Sequence, residues 1–588
     1  MSSICREVIT LQLGHYSNFV GTHWWNLQDA SLSYDPEMPP GEIQSDVMFR
    51  EGQTLGGNIT YTPRLIVMDL KGSLLTLRQE GSLYDTGKET AAISWDGSLM
   101  THKESPPEKN SFLEDLDKLD RGDILTEVDF SSSSMPPRER SLNVDTVNSR
   151  LARVQKNYKL EGSVKVWSDF LRIHLHPRTI SVIHQYNHDG EADRLEAFGQ
   201  GQALLQGSVL QELDDKLHFF VEECDYFQGF QVLCDMADGF AGLGSKVTEM
   251  LQDAYGGRGI LTYGVAPVSH PNSTPTKDLY HLLNCALGTV HLASHSSIYC
   301  PLTLRGGLGL RPSSPLSFPY LTYDPSLWYH SSSVLALALD ALTAPYRLRN
   351  SVPMWQLADS LSASGRKVVA AYGAVPFPMM HGDSLPDALS ACAESLPWKP
   401  LSTCPEAGDG RCYGQWVTLK GLEGQRLISS GAPGTEPPSA LHNLHSGEDV
   451  LASYVASFYP TAPLAVQLVS SPSKVMPPFP RIFHQSVTNR GLVHSQQPPT
   501  SSLAASAVSS VPVITSLQSG PALDPWLAEL HRSVSAFDIR RVAPSFLAQG
   551  PEMADYSEVL EQLRLLARCY RDDSGGMTRS SSEDDDDD

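Results

Sequence analysis

Residues 8–27 read VITLQLGHYSNFVGTHWWNL and predict a strand, a turn and a helix in direct succession. Val8 to Leu13 is an apolar run of strand length, and Gly14 follows it at the position of a turn. Asn18 to Leu27 then has the pattern of a helix. Because strand–turn–helix units are the building blocks of α/β domains, this segment predicts the start of such a domain.

Further apolar runs extend this unit into a layered domain. The run LIVMDL at Leu65 to Leu70 is continuous, which is typical of parallel strands covered on both faces. Strand and helix patterns then alternate along the chain, with strands at Ile180–Ile183, Phe227–Cys234 and Gly259–Val265 and helices at Leu204–Val221 and Ser245–Ala254. The alternation predicts a doubly wound parallel sheet that ends near Pro267.

Composition changes along the chain predict its domain organisation. A dense charged stretch with a serine run predicts a flexible insertion, and mixed helix and strand patterns predict a second α/β domain after the first. A Ser/Pro/Gln-rich linker follows, in which Pro512 would confine a strand at Val511–Thr515 to a sheet edge. The predicted bounds are 1–99 and 151–268 for the first domain, 100–150 for the insertion, 269–493 for the second domain, 494–523 for the linker, 524–570 for C-terminal helices and 571–588 for a disordered acidic tail.

The charge balance and the cysteines exclude several classes of protein. The chain of 588 residues has 67 acidic and 44 basic side chains, a net charge of −23 that opposes phosphate binding and argues against a nucleic-acid partner. No apolar run approaches the roughly 20 residues that span a bilayer. The nine cysteines form no C-x-x-C pair, and residues 1–13 lack the apolar stretch of a signal peptide, so we expect reduced thiols in the cytosol.

Several motifs are similar to those of tubulins. The segments QLGHYSNFVG at Gln12–Gly21 and YTPRLIVMDL at Tyr61–Leu70 resemble the first strand–loop–helix and the second strand of tubulins. The segment QGFQ at Gln228–Gln231 resembles the strand that enters their glycine-rich signature. With the Trp24–Trp25 pair and PFPRIF at 478–483, the chain resembles the Misato family of tubulin-related proteins.

This resemblance implies both a fold and a cellular role. The fold would be tubulin-like, with a nucleotide-type α/β domain, a second α/β domain and C-terminal helices. The protein would lie in the cytoplasm and peripherally on the mitochondrial outer membrane, where it would regulate mitochondrial distribution and morphology and promote fusion and network formation. Its partners would be outer-membrane mitochondrial proteins or fusion machinery, and tubulin or microtubules are a further candidate.

The resemblance also places a degenerate guanine-nucleotide site at Gly14, Asn18, Gly239 and Gly242. Four residues of the first loop, His15, Tyr16, Ser17 and Phe19, replace the Gln, Cys, Gly and Gln of tubulins. Asp238 would add a negative charge near the phosphates. A glycine loop before a helix nevertheless favours anions, so GTP or GDP remains a candidate cofactor.

No catalytic or metal site is visible in the sequence. The pairs His174–His176, His184–His188 and His291–His295 lack the glutamate and third ligand of a catalytic zinc motif, so we predict no metal site. We therefore predict a non-catalytic protein. The alternatives are a divergent GTP-binding protein or GTPase, in which the four site residues would bind nucleotide, and a microtubule- or spindle-associated cytoskeletal factor.

Adjacent tryptophans on the first helix suggest an interaction surface. Trp24 and Trp25 point about 100° apart on a helix, so one side chain is expected under the sheet. The other would then mark an interface.

Overall fold

The computed structural model describes residues 5–32, 41–53, 59–79, 107–120, 158–189, 192–268, 273–305, 314–406, 411–428, 439–494 and 507–571. Most of the predicted 100–150 insertion and all but Arg571 of the predicted acidic tail lie outside these residues.

The first domain is built on a six-stranded sheet in which every neighbouring pair of strands is parallel. Its strands stand in the order β5-β4-β1-β6-β7-β8. Their bounds are Val8–Leu13 for β1, Leu65–Lys71 for β4, Ile180–Asn187 for β5, Gly229–Asp235 for β6, Gly259–Val265 for β7 and Ile298–Leu302 for β8, and a hairpin of β2 (Phe49–Gln53) and β3 (Ile59–Pro63) lies outside this sheet. The predicted doubly wound parallel sheet is confirmed, but its predicted end near Pro267 is wrong, because β8 continues the sheet beyond that residue.

Helices cover both faces of this sheet, as its continuous apolar strands require. In β1, Ile9, Leu11 and Leu13 belong to one apolar core and Val8 to the other. The helices of this domain are α1 (His15–Ser31), α2 (Ser111–Asp120), α3 (Phe198–Leu204), α4 (Gly207–Glu222), α5 (Phe240–Ala254) and α6 (Pro275–His295).

Helix α1 is buried on nearly all sides. Trp24 and Trp25 are 0% and 1% exposed, and their rings meet edge to face at 4.7 Å. The prediction that one of them marks an interface is therefore wrong. The reason is tertiary, because Trp25 packs on Phe49 while helix α7 (Trp328–Leu342) covers another side of α1.

The second domain contains a mixed five-stranded sheet in the order β10-β9-β15-β11-β12. Its strands are β9 (Ala370–Ala374), β10 (Lys399–Pro400), β11 (Gly414–Lys420), β12 (Leu464–Val469) and β15 (Val513–Ser519), and a separate pair is formed by β13 (Ser473–Lys474) and β14 (Ser510–Val511). The accompanying helices are α7, α8 (Met354–Leu361), α9 (Leu385–Ala391) and α10 (Gly447–Phe458).

The prediction of an edge strand within a low-complexity linker is wrong, because this segment forms strand β15. It is fully buried and pairs antiparallel with β11 on one side and β9 on the other. Pro512 lies just before the strand, so it removes no hydrogen-bond donor from the ladder. The described end of the predicted linker is thus a central part of the second domain.

The prediction of a flexible insertion is wrong for the residues of helix α2. Within the insertion predicted to be flexible, Phe112, Leu116 and Leu119 are buried and belong to the core of the first domain. Their spacing places them on one face of the helix, so this part of the insertion packs as an amphipathic element.

The C-terminal helices pack on α6. They are α11 (Asp524–Ser535), the short α12 (Ile539–Val542) and α13 (Pro544–Leu547), and α14 (Met553–Tyr570). In α14, Leu563 and Tyr570 are 0% exposed, and the Tyr570 hydroxyl donates to the Val368 carbonyl over 2.8 Å. The apolar stripe of the last helix is therefore part of the body.

Candidate functional site

The predicted site residues surround the point where the strand order of the first sheet reverses. Strands β4 and β5 lie on one side of β1, and the later strands β6, β7 and β8 lie on its other side. Gly14 follows β1, and Gly239 follows β6 by four residues. In open α/β sheets, ligands bind outside the carboxyl ends of the strands at such a switch point.

The start of α1 is held by a carboxylate of the chain itself. The backbone N–H of Tyr16 donates to Oδ2 of Asp235 over 2.9 Å, and the N–H and hydroxyl of Ser17 each donate to Oδ1 over 2.6 Å. Asp235 is 3% exposed. Burial, together with the charge of Asp238, raises the pKa of Asp235 well above its usual value, although these three donors oppose the increase.

Gly14 makes this contact sterically feasible. Its φ is +111°, and a Cβ at this position would lie 2.5 Å from Cγ of Asp235. The residue is therefore needed for the approach of Asp235 to α1. The amides that would hold an anion at this helix start already donate to an internal carboxylate.

Gly239 and Gly242 lie where α3 crosses the start of α5. A Cβ on Gly242 would collide with the carbonyl oxygen of Phe198, and one on Gly239 would lie 2.7 Å from Cδ1 of Leu195. The reverse also holds, because a Cβ on Gly201 would collide with the Gly239 carbonyl. These glycines allow close packing of two helices, and α3 occupies the space directly above them.

The amides at the start of α5 also have internal partners. Gly239 N–H donates to the Leu195 carbonyl over 3.3 Å, and Phe240 N–H donates to Oδ1 of Asp238 over 2.9 Å. Ser245 lies inside the helix and donates to the Ala241 carbonyl over 2.7 Å, so it does not cap the helix start. Burial raises the pKa of Asp238 to about 7, and the neighbouring Asp69 contributes to the increase.

Asn18 belongs to a buried polar cluster centred on Asp69. Oδ2 of Asp69 accepts hydrogen bonds from Nδ2 of Asn18 over 2.9 Å and from Nε1 of Trp167 over 2.8 Å, and Nδ1 of His15 lies 2.9 Å from the same oxygen. Burial alone would raise the pKa of Asp69. The adjacent His15 and the hydrogen-bond donors outweigh burial, so the pKa lies below its usual value.

Aromatic rings surround His15. The ring of His188, from the loop after β5, lies on it with centroids 3.7 Å apart, and Phe19 and Trp328 follow at 5.3 and 5.9 Å. His15, Asp69 and His188 each present a metal-ligating atom within 4.8 Å of the other two. Spacing in the sequence gave no sign of this group, because its members come from three separate segments.

Asn284, on α6, connects two neighbouring loops through its side chain. Its Nδ2 donates to the carbonyls of Glu196 and Ala237 over 2.7 and 3.2 Å. The four predicted site residues thus all lie at the switch point, but each of them contacts neighbouring parts of the chain.

Comparison with known proteins identifies the family. A family model described as "Misato Segment II tubulin-like domain" matches residues 6–118, and one described as "Tubulin domain" matches residues 158–348. "Protein misato homolog 1" of Danio rerio is 65% identical, with 97% of this chain and 98% of that protein covered. The chain belongs to the Misato family. Its human relative of the same name is 48% identical over 97% of this chain and 99% of its own length, and "Protein misato" of Drosophila melanogaster is 28% identical over 96% and 99%.

Membership of the Misato family fits the architecture. The two matched regions contain every strand of the parallel sheet, so the first domain is a tubulin-like α/β domain. The predicted site is divided between them, with Gly14 and Asn18 in the Misato segment and Gly239 and Gly242 in the tubulin domain. Among the described helices of this Misato protein, none is long and apolar enough to cross a membrane.

Proposed function

We propose that this Misato-family protein is a non-catalytic tubulin-like scaffold that regulates mitochondrial distribution and morphology. It acts peripherally on the cytosolic face of the outer membrane and promotes fusion and network formation through protein contacts. The observation that carries the non-catalytic part is the binding of the α1 amides by Asp235. The mitochondrial part rests on the family to which the chain belongs.

The switch point favours internal packing over a bound nucleotide. At the start of α1, the Tyr16 and Ser17 amides donate to Asp235, and at the start of α5 the Phe240 amide donates to Asp238. A nucleotide would have to displace both carboxylates from the helix N-termini, where negative charge is favourable.

Negative charge at the switch point also argues against a bound nucleotide. Asp69, at the carboxyl end of β4, keeps its negative charge because its pKa lies below the usual value, and a polyphosphate would add further negative charge near it. Two like charges about 4 Å apart repel by about 1 kcal/mol in water and by more in a buried cleft. A fold retained for its surfaces fits these residues better than a GTPase.

Nucleotide binding is the direct test of the non-catalytic part. We expect purified full-length protein to carry no GTP or GDP and to show no saturable binding up to millimolar concentrations. Stoichiometric guanine nucleotide, released or hydrolysed on addition of Mg²⁺, would contradict the proposal and favour the divergent GTPase.

Binding to isolated mitochondria tests the mitochondrial part of the proposal. We expect the full-length protein to bind isolated mitochondria and to lose that binding when the mitochondria are first treated with protease. Protein-free liposomes of outer-membrane lipid composition serve as the matched control and should recover little protein. Equal recovery on liposomes and mitochondria would contradict recruitment through a protein partner.

The tubulin-domain match favours a microtubule-associated role as the second candidate. Co-sedimentation with assembled microtubules, compared with unassembled tubulin at the same concentration, tests it. Saturable co-sedimentation that falls with salt would support that candidate, whereas its absence together with mitochondrial binding would support the scaffold.

A further inference from the structure

Three side chains with ligating atoms meet beside the switch point. His15 is the first residue of α1, Asp69 lies near the end of β4, and His188 follows β5. One ligating atom of each lies within 4.8 Å of the other two.

We propose that His15, Asp69 and His188 bind a divalent transition-metal ion, for which Zn²⁺ is the best match. Two imidazole nitrogens and one carboxylate oxygen form a common three-residue ligand set for zinc. Mg²⁺ and Ca²⁺ prefer oxygen ligands throughout, so two histidines disfavour them. The inference goes beyond the proposed scaffold role and does not depend on it.

Unpartnered buried atoms support a ligand at this point. His15 is 6% exposed and, beyond the contact of its Nδ1 with Asp69, its Nε2 is buried without a hydrogen-bond partner. Oδ1 of Asn18, which is 0% exposed, is likewise buried without a partner. Buried polar atoms are nearly always satisfied, so two such atoms beside one carboxylate indicate a missing ligand.

Surrounding hydrogen bonds hold the carboxylate and the loop histidine in place. Asn18 and Trp167 both donate to Oδ2 of Asp69, and the Leu70 N–H donates to Oδ1 over 2.8 Å. The N–H of His188 donates to the Lys71 carbonyl over 2.9 Å, which ties the loop to the end of β4. Hydrogen bonds of this kind orient metal ligands and are a regular part of metal sites.

Side-chain shifts would complete the site. Zinc bonds of 2.0–2.2 Å in tetrahedral geometry put ligating atoms about 3.4 Å apart, whereas Nδ1 of His15 and Oδ2 of Asp69 are 2.9 Å apart and the three ligating atoms lie within 4.8 Å of one another. His188 can make this movement because it lies on a loop, and its side chain, 20% exposed, gives the ion a path from solvent. The bound ion would join the start of α1 to the ends of β4 and β5.

The test uses full-length protein stripped of metal and titrated with Zn²⁺ alone by calorimetry. We expect one ion per chain and a loss of affinity of at least tenfold in His188→Gln. His184→Gln is the matched control, because this exposed histidine lies four residues earlier on β5 and outside the cluster. The zinc affinity of His184→Gln should equal that of the unmodified protein.

A spectroscopic measurement on the unmodified protein makes the test independent of variant folding. X-ray absorption of the zinc complex should show nitrogen and oxygen ligands with the scattering of two imidazoles. A sulfur ligand would place the ion at a cysteine and overturn the proposal.

Three other outcomes would also overturn it. The first is no binding, and the second is several weak sites that His188→Gln leaves unchanged. The third is an equal loss in both variants, which would assign the ion to a surface pair of His184 and His188.

Discussion

Nη2 of Arg347 lies 2.8 Å from Oδ1 of Asp340, and the two side chains are 0% and 1% exposed. Oδ2 of the same carboxylate pairs with the buried Nζ of Lys420 on β11. Gln28 of α1 donates to Oδ1 over 2.8 Å. One carboxylate on α7 thus joins the first helix of the tubulin-like domain to the sheet of the second domain.

Asp340→Asn should destabilise the protein by roughly 3–5 kcal/mol. The variant leaves Arg347 and Lys420 buried without a counter-charge, and loss of one partner of a buried ion pair has effects of that size. Denaturant unfolding of the full chain measures the change. Glu529→Gln, which breaks the exposed pair with Arg532, is the control and should leave the midpoint almost unchanged.

Asp235→Asn should destabilise the protein by roughly 1–3 kcal/mol. An amide has one acceptor oxygen, so at least one donor among the Tyr16 and Ser17 groups at the start of α1 would lose its partner. Thermal and denaturant unfolding measure the effect. Asp253→Asn, at an exposed position of α5, should match the unmodified protein, and an equal loss in both would contradict the capping role of Asp235.

Gly242→Ala should be destabilising by roughly 1–3 kcal/mol, because the added methyl group would collide with the Phe198 carbonyl and force α3 away from α5. Gly256→Ala is the control, since a Cβ there meets nothing nearer than 3.7 Å. Unfolding midpoints of the two variants should differ clearly. Equal midpoints would mean that Gly242 is not a packing residue.

Stability should fall as pH rises through about 7, in part because of Asp238. Its pKa is raised from 3.8 to about 7, so between these values the folded protein binds more protons than the unfolded chain. The stabilisation is complete below about pH 4 and is lost as pH rises through 7. Because Asp238 is partly exposed, we expect a contribution of about 1 kcal/mol.

The variant Asp238→Asn isolates this contribution. Its denaturant midpoint should decline less between pH 6 and 8 than that of the unmodified protein. Asp225→Asn changes an exposed carboxylate and should keep the original slope. A slope unchanged in Asp238→Asn would assign the pH dependence to other groups.

Local patterns predicted the strands of the first domain well, because continuous apolar runs determine buried parallel strands. Strands β1 and β7 begin and end at the predicted residues. The central place of β15 was missed because its partners β9 and β11 lie about 100 residues or more away in the chain. Likewise, no local pattern reveals that Phe49 packs on the second tryptophan of α1 or that α7 covers another side of this helix.

The sequence predicted where the strand order reverses, but not the contacts made there. Glycines after β1 and β6 indicated the switch point, since sharp turns and close contacts favour glycine. The residues around each glycine do not show which distant side chain or backbone group will contact it. Asp235 reaches α1 across 218 residues, and the side chains of His15, Asp69 and His188 lie between 54 and 173 positions apart in the chain, because 188 − 15 = 173.

The position of β15 has a consequence for synthesis on the ribosome. Until residue 519 has left the exit tunnel, β9 and β11 each present a row of unpaired backbone groups, since both pair with β15 in the finished sheet. The second domain therefore cannot close while the chain grows from its N-terminus, although the tubulin-like sheet is complete by Leu302. We therefore expect a nascent or prematurely terminated chain to expose these strand edges and to be prone to aggregation.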